Sequence, residues 1–411
     1  MGHRVVPTVL AIWNQRLLDG RTSMFRFLTL RLAPRDPHEP NRSATSLELM
    51  FDLATVVAVG AAAHGLAHEI QSGHVIAGVV KFLCSFFMTW LAWANYTWFA
   101  SAYDDKSVVF RALSMVIMFG ALALAGGLNS AYADEPIRTA LAGFIIMRLG
   151  IVVFWLGAAN GDREARPAAL RYALAISAMQ VYWTAVIVGF PPQGLLYLSL
   201  FALGAVGELA IPALAERNVA TPWHHDHIVE RYNLFNIIVI GECFLSIARI
   251  FTATERPDLK HFWLASLCSV IAFSMWGLYF DRKEQLLRRQ LGSVLLWAYG
   301  HYVVFAAGAA TAAGFSIFLA VSQQRANIST QGASLALGIS IAFYLTSLWL
   351  VRDRANPSGV IQWVLLGAAA LILVAATFAP YPLEAITAVL AVAALVRRNL
   401  HPYSKVTADM P

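Results

Sequence analysis

Arg148, Glu208 and Glu242 each stand about a dozen residues inside stretches that are otherwise apolar: "GFIIMRLGIVV", "ALGAVGELAIP" and "IIVIGECFLS". An ionised group at membrane depth costs roughly 2.5–3.5 kcal/mol on insertion scales, so each needs a partner or a watery cavity. At about 1.5 Å per residue, all three reach a level near the middle of their stretches. Two acids and one Arg at one level predict a buried ion-pair cluster in which Arg148 partners Glu242 and one acid is left over. A carboxyl left over in such a place suits a proton relay or a cation site. A structural clasp between helices is the other reading, and the sequence leaves it open. Asp52 and His301 complete the set of transport or binding candidates. His301 lies about eight residues into its stretch, and His64, further back in the chain, reads as a core residue.

A second polar group gathers where these stretches begin and end. Glu48 and Asp52 open the first, Asp104 and Asp105 close the second with Arg111 just beyond, Asp281 closes the eighth, and His227, Glu230 and Arg231 precede the seventh. Thr45 and Glu48 match the S/T-x-x-E capping box. Asp52, one turn deeper on the same face, has no such explanation. Acids at helix C-termini oppose the helix dipole, which makes Arg111, Arg282 or Lys283 their expected partners. "HHDHIVER" at 224–231 has closely spaced His, but no HExxH accompanies it. It reads as a solvated loop, with no metal and no cofactor expected. The aromatics of 89–103 read as interface anchors, with Asn95 and Tyr96 deep enough to line a polar path.

The elements that hold these residues follow from composition. Hydrophobic residues make up 58% of the 411, charged ones only 13%, and mean hydropathy is +0.60. An ordinary soluble domain carries roughly 25% charged residues. The class is therefore all-α, a polytopic integral membrane protein. Spans of about 20 apolar residues fall at 47–69, 77–101, 108–130, 137–159, 168–189, 195–215, 230–251, 262–281, 293–321, 332–351, 360–379 and 382–397. With the N-terminus placed inside, 23 Lys and Arg lie on the inner side and six on the outer, and only Arg148 lies mid-span. By the positive-inside rule both termini are expected in the cytoplasm, with the chain multi-pass in the bacterial inner membrane. Cys84, Cys243 and Cys268 sit in apolar segments without CxxC spacing and read as small core residues.

The expected organisation is a basic N-terminal segment (1–45), part of which could lie on the inner leaflet. Two six-helix halves follow (46–215 and 216–398), then a tail (399–411). Aligning Phe51 with Phe235 places Asp52 on Asn236, and Asp104 falls near Asp281. This suggests two parallel six-helix repeats, as duplication of an even number of spans gives.

Five ordered motifs, "SLELMFDLATVVAV" (46–59), "NYTWFASAYDDKSVVFRAL" (95–113), "HIVERYNLFNIIVIGE" (227–242), "WGLYFD" (276–281) and "WAYGHY" (297–302), resemble the bacterial low temperature requirement A family of multi-spanning membrane proteins. Met50 and Thr55 depart from the family's usual pattern after the Glu. By position, the resemblance marks Glu48, Phe51, Asp52, Trp98, Asp104, Arg111, Arg148, His227, Glu230, Arg231, Gly241, Glu242, Asp281 and His301, and gives Glu208 poorer support. The family name implies a growth phenotype and no chemistry. The leading expectation is a transporter or channel-like conductor of protons, a small cation or a small solute. Glu242 would titrate, with Asp52, Glu230 and Asp281 as the inner gate. A membrane-embedded enzyme acting on a lipid-linked substrate and a structural or sensory role stay open. The expected partners are the lipid bilayer and an unknown small solute or ion, with a homo-oligomer left open and no nucleic acid.

Overall fold

A computed structural model of the chain describes residues 30–192, 194–282, 291–354 and 359–400. It is 82% helical, with no strand among the described residues. Twelve helices run in chain order: α1 (Ser46–Gln71), α2 (Val75–Tyr103), α3 (Val108–Tyr132), α4 (Arg138–Gly161), α5 (Arg166–Gly189), α6 (Gly194–Ala215), α7 (His225–Thr252), α8 (Leu259–Tyr279), α9 (Leu291–Ser322), α10 (Thr330–Leu348), α11 (Val364–Phe378) and α12 (Pro382–Leu400). The caps explain many of the starts. Thr45 and Glu48 form the expected capping box at α1, Ser107 caps α3 and His224 caps α7. Asp258 caps α8, and Ser329 caps α10. Pro167 sits in the first turn of α5, where its missing N–H has no helical partner to lose.

Eleven of the twelve, α11 together with the 3-10 turn Gly359–Trp363 that leads into it, are long and apolar enough to cross a membrane. The exception is α12, which carries Glu384, Arg397 and Arg398. It nevertheless runs the full height of α8. Trp263, near the start of α8, donates to Glu384 at 3.1 Å, and Arg397 meets Asp281, just past the end of α8, at 2.5 Å. The face on which α1 begins is called the N-face below.

The pairing order of neighbours is the same in both halves. The first helix packs on the second and third, the third on the fourth, the fourth on the fifth and the fifth on the sixth. The largest difference between the halves concerns the sixth helix. In the second, the sixth helix (α12) closes onto the second (α8). In the first, α6 makes no comparable contact with α2, and this gap shapes the candidate site.

Small residues set the tightest crossings, as expected where lipid gives no hydrophobic drive and close van der Waals approach must supply the attraction. A Cβ on Gly143 of α4 would come within 2.3 Å of the Leu124 nitrogen of α3. Gly143→Val is expected to cost about 1–3 kcal/mol by overpacking, read as a lower melting temperature in detergent. Gly126→Ala is the neutral control, since nothing lies within 4 Å of its Cβ position.

Of the segment expected to lie on the leaflet surface, residues 24–29 fall outside the described residues. Residues 30–35 run without helix across the ends of α2 and α4: Leu32 N donates to Gly157 O at 3.0 Å, and Arg35 N to Ala102 O at 2.9 Å. Residues 401–411 of the expected tail also lie outside the described part.

Candidate functional site

Two cavities occupy the gap between α2 and α6. The outer one lies toward the face opposite the N-face. It is lined by Lys81, Cys84, Ser85 and Met88 of α2, Leu141 and Phe144 of α4, and Tyr197 and Phe201 of α6, among others. The inner one extends to the N-face loop at 216–223. It is lined by Trp90, Leu91, Asn95 and Trp98 of α2, Trp155 of α4, Tyr172 of α5, Glu208 and Pro212 of α6, Glu216, Trp223, and Tyr299 of α9, with others. On each helix the two linings continue one stripe at helical spacing: 81, 84, 88, 91, 95 and 98 on α2, and 141, 144 and 155 on α4. The cavities are thus two ends of one inner face.

Arg148 and Glu208 stand between them. Arg148 Nη2 donates to Glu208 Oε2 at 2.5 Å, and both side chains are 1% exposed. Trp183 Nε1 donates to Glu208 Oε1 at 3.0 Å. The Arg148 guanidinium carbon lies 5.7 Å from the centroid of the Phe144 ring, an outer-cavity residue, whereas Glu208 lines the inner cavity. Phe201 packs on Trp183 at 5.0 Å and on Phe87 at 6.1 Å, completing an aromatic plug. Arg148 Nε and Nη1 and both amide atoms of Gln180 are buried with no hydrogen-bond partner. Orphan donors and acceptors are rare in native interiors, and those of Arg148 lie beside its pair with Glu208. Pro212, one turn beyond Glu208, has no N–H to return to the Glu208 carbonyl.

The structure corrects the expected pairing. Arg148 clasps Glu208, not Glu242. Glu242 lies in the crevice between α1 and α7, where a Cβ on Gly60 would sit 2.7 Å from its Oε2. It is half-buried, with no ion-pair partner among the described residues. His64, expected in the core, is exposed on the outer side of α1.

The N-face residues separate into two networks. In the first, Asp52 takes both Arg231 Nη1 at 2.8 Å and Nη2 at 2.6 Å, plus Trp93 Nε1 at 2.8 Å. Trp93 is held by stacking on Phe235 at 4.0 Å. His227 Nε2 lies 3.2 Å from Glu48 Oε1, and its Nδ1 lies 3.2 Å from Ser101 Oγ. Asp52 and Glu48 thus bind α1 to α7 at successive turns, which accounts for Asp52. Arg42 donates to the Ser101 and Ala100 carbonyls at the end of α2. Burial pulls its pKa down to about 10, so it stays cationic at neutral pH. Asp104 is buried and accepts from Lys106 N at 2.9 Å, and burial raises its pKa. Its expected partner, Arg111, is exposed.

The second network joins α8, α10 and α12. Asp281 meets Arg352 at 3.0 Å and Arg397 at 2.5 Å, while Asp353 meets Arg397 at 2.5 Å and Arg352 at 3.2 Å. Arg282 lies 4.0 Å from Asp353, and Lys283 is outside the described residues. Asp52 and Asp281 therefore do not form one gate, and Glu230 is half-buried away from an ion pair among the described residues. His301 is enclosed by aromatic rings, Trp297 at 4.4 Å among them, with Tyr279 Oη 3.2 Å from its Nε2.

Sequence reasoning missed the buried Gln180, Trp183 beside Glu208 and Glu216 at the inner cavity, and Arg352, Asp353 and Arg397 in the second network. The first two had a readable signal, since Tyr172, Ile176, Gln180 and Trp183 share one buried stripe of α5. The others sit near chain turns, where charge is unremarkable.

Fold and site define a multi-pass helical membrane protein with paired cavities about a buried ion pair. The chain belongs to the bacterial low temperature requirement A (LtrA) family, whose family model matches residues 43–396. It is 25% identical over 337 residues, 77% of this chain and 79% of the relative, to an uncharacterised protein of Rhizobium meliloti. No solved structure matches it.

Proposed function

We propose that this chain is a membrane carrier for a small solute, with the two cavities as its chambers and the Arg148–Glu208 pair as the barrier between them. One observation carries the reading: the cavities enter a single inner face from opposite ends, and between them stands one ion pair in which Glu208 lines the inner cavity while Arg148 lies over Phe144 of the outer one. A barrier made of an ion pair and a few aromatic rings can open by exchanging partners. A continuous apolar core has no second arrangement of that kind. The excess of Lys and Arg on the N-face supports both termini lying inside. Asp52 and Asp281 are engaged with Arg, which counts against acid–base catalysis by those two acids.

Proteoliposomes on a solid-supported membrane test the proposal. Jumps of amines, amino acids, inorganic cations and sugars should evoke a current for at least one solute. The Glu208→Gln variant, which keeps an acceptor for Trp183, should lower that current about tenfold or more, the scale set by about 1.4 kcal/mol. Purified, correctly folded wild type that responds to none of them, or equally with Glu208→Gln, would sink the proposal. A second readout is thiol labelling. Cys84 lines the outer cavity and is half-buried, while Asn95→Cys in a Cys84→Ser background reports on the inner one. Impermeant maleimides should reach them from opposite sides of the vesicle.

A further inference from the structure

We infer that the inner cavity binds an organic ammonium ion, with Glu216 as its counter-ion and tryptophan rings as its walls. The inference rests on the reading of this cavity as a solute chamber and adds the class of solute. Two carboxylates line the cavity, Glu208 and Glu216. Arg148 neutralises Glu208. Glu216 accepts from Thr221 Oγ1 at 2.6 Å and from Tyr172 Oη at 2.9 Å, both on Oε1. No Lys, Arg or His pairs with it among the described residues, and no charged neighbour shifts its pKa, which burial alone raises. The chamber therefore carries one negative charge in excess.

The walls suit a soft cation. Trp98 and Trp223 meet edge to face at 5.0 Å, and Trp155 stacks on Tyr172 at 4.1 Å. Aromatic faces present negative potential, and alkylammonium groups are recognised by such surfaces. A strongly hydrated ion such as sodium would lose its water here and gain few oxygen ligands. The indole N–H groups of Trp90 and Trp155 are buried without acceptors. A solute bearing an oxygen beside its ammonium group would satisfy one of them, so an amino alcohol or a betaine-like molecule fits better than a bare tetraalkylammonium.

Calorimetric titration of the detergent-purified full chain with choline tests this. The control is choline's neutral carbon isostere, in which a tert-butyl group replaces trimethylammonium. Choline should bind saturably and the isostere about tenfold or more weakly, as removal of the charge that an aromatic cage and a carboxylate recognise requires. Glu216→Gln keeps both hydrogen bonds and should weaken choline by a similar factor, and Trp223→Leu should weaken it several-fold. Affinity should also fall on acidification, beginning above the usual carboxylate range as Glu216 takes up a proton. Tyr172 of α5 donates to Glu216, Glu208 of α6 and Tyr299 of α9 line the same cavity, and the nearby Arg171 of α5 is engaged on the Ala215 carbonyl. Nanodiscs with and without phosphatidylcholine distinguish the source of the cation. Competition by the lipid marks a headgroup site, and indifference to it marks a free solute. Equal binding of choline and its isostere, no choline binding, or unchanged affinity in Glu216→Gln would overturn the inference. The two proposals fail separately: choline binding without any solute current overturns the carrier alone, and currents from other solutes without choline binding overturn the ammonium site alone.

Discussion

Asp52→Ala is expected to destabilise the protein by about 3–5 kcal/mol, the cost of leaving a buried charge without its partner. Arg231 is fully buried and would keep its guanidinium in the interior with both nitrogens that now meet Asp52 unpaired. Trp93 would lose the acceptor of its indole N–H as well. The double variant Asp52→Leu with Arg231→Met should recover most of the loss, because replacing both charges by apolar groups of similar size removes the desolvation cost. Melting temperature in detergent and the monodisperse fraction by size exclusion read the comparison. Equal loss in the single and the double variant would show that the pair does more than hold α1 to α7. Recovery of fold would show that its part is structural, and solute currents can then be measured on the same double variant.

Arg397→Met is expected to have an effect of similar size, about 3–5 kcal/mol. Arg397 bridges Asp281 and Asp353 in full burial. Its loss leaves two carboxylates sharing Arg352, with Arg282 at 4.0 Å. Arg397→Lys should rescue only partly, since one ammonium cannot serve two carboxylates with a guanidinium's planar fork. The visible result is release of α12 from α8, read as faster proteolysis at 379–384 together with a lower melting temperature. An unchanged cleavage rate in Arg397→Met would show that α12 is held by its apolar packing alone. The experiment also explains how a helix below the apolar threshold for spanning keeps its place, because its two arginines enter the bundle end where acids await them or face the N-face solvent.

Much of this protein can be read along the chain. Twelve runs of apolar residues become twelve helices, because a bilayer accepts only segments that satisfy their own backbone hydrogen bonds. That constraint acts locally, as does the capping box of Thr45 and Glu48. Arg148, Glu208 and Asp52 were likewise visible, since an ionisable residue among apolar ones stands out whatever the fold. Partners were not. Glu208 and Glu242 sit at similar depths on different helices, and depth is all that a hydropathy pattern records. Which of them meets Arg148 depends on the azimuth of α6 and α7 about their axes and on which helices are neighbours. Asp52 finding Arg231 and Arg397 finding two aspartates are facts of the same kind. The cavities, too, arise from a helix that does not close. α6 stands off α2 while α12 closes on α8, and no single segment encodes that gap. Glu216 illustrates the limit: along the chain it is one more polar residue in a loop, and only the packing of α2, α5 and α9 around it turns it into an unpaired charge in an aromatic chamber. The sequence by itself thus determined the helices, their caps and the depth of each charge, because these follow from the cost of polar groups in lipid. Tertiary structure decided the pairings and the empty space, because these depend on distances between residues far apart in the chain.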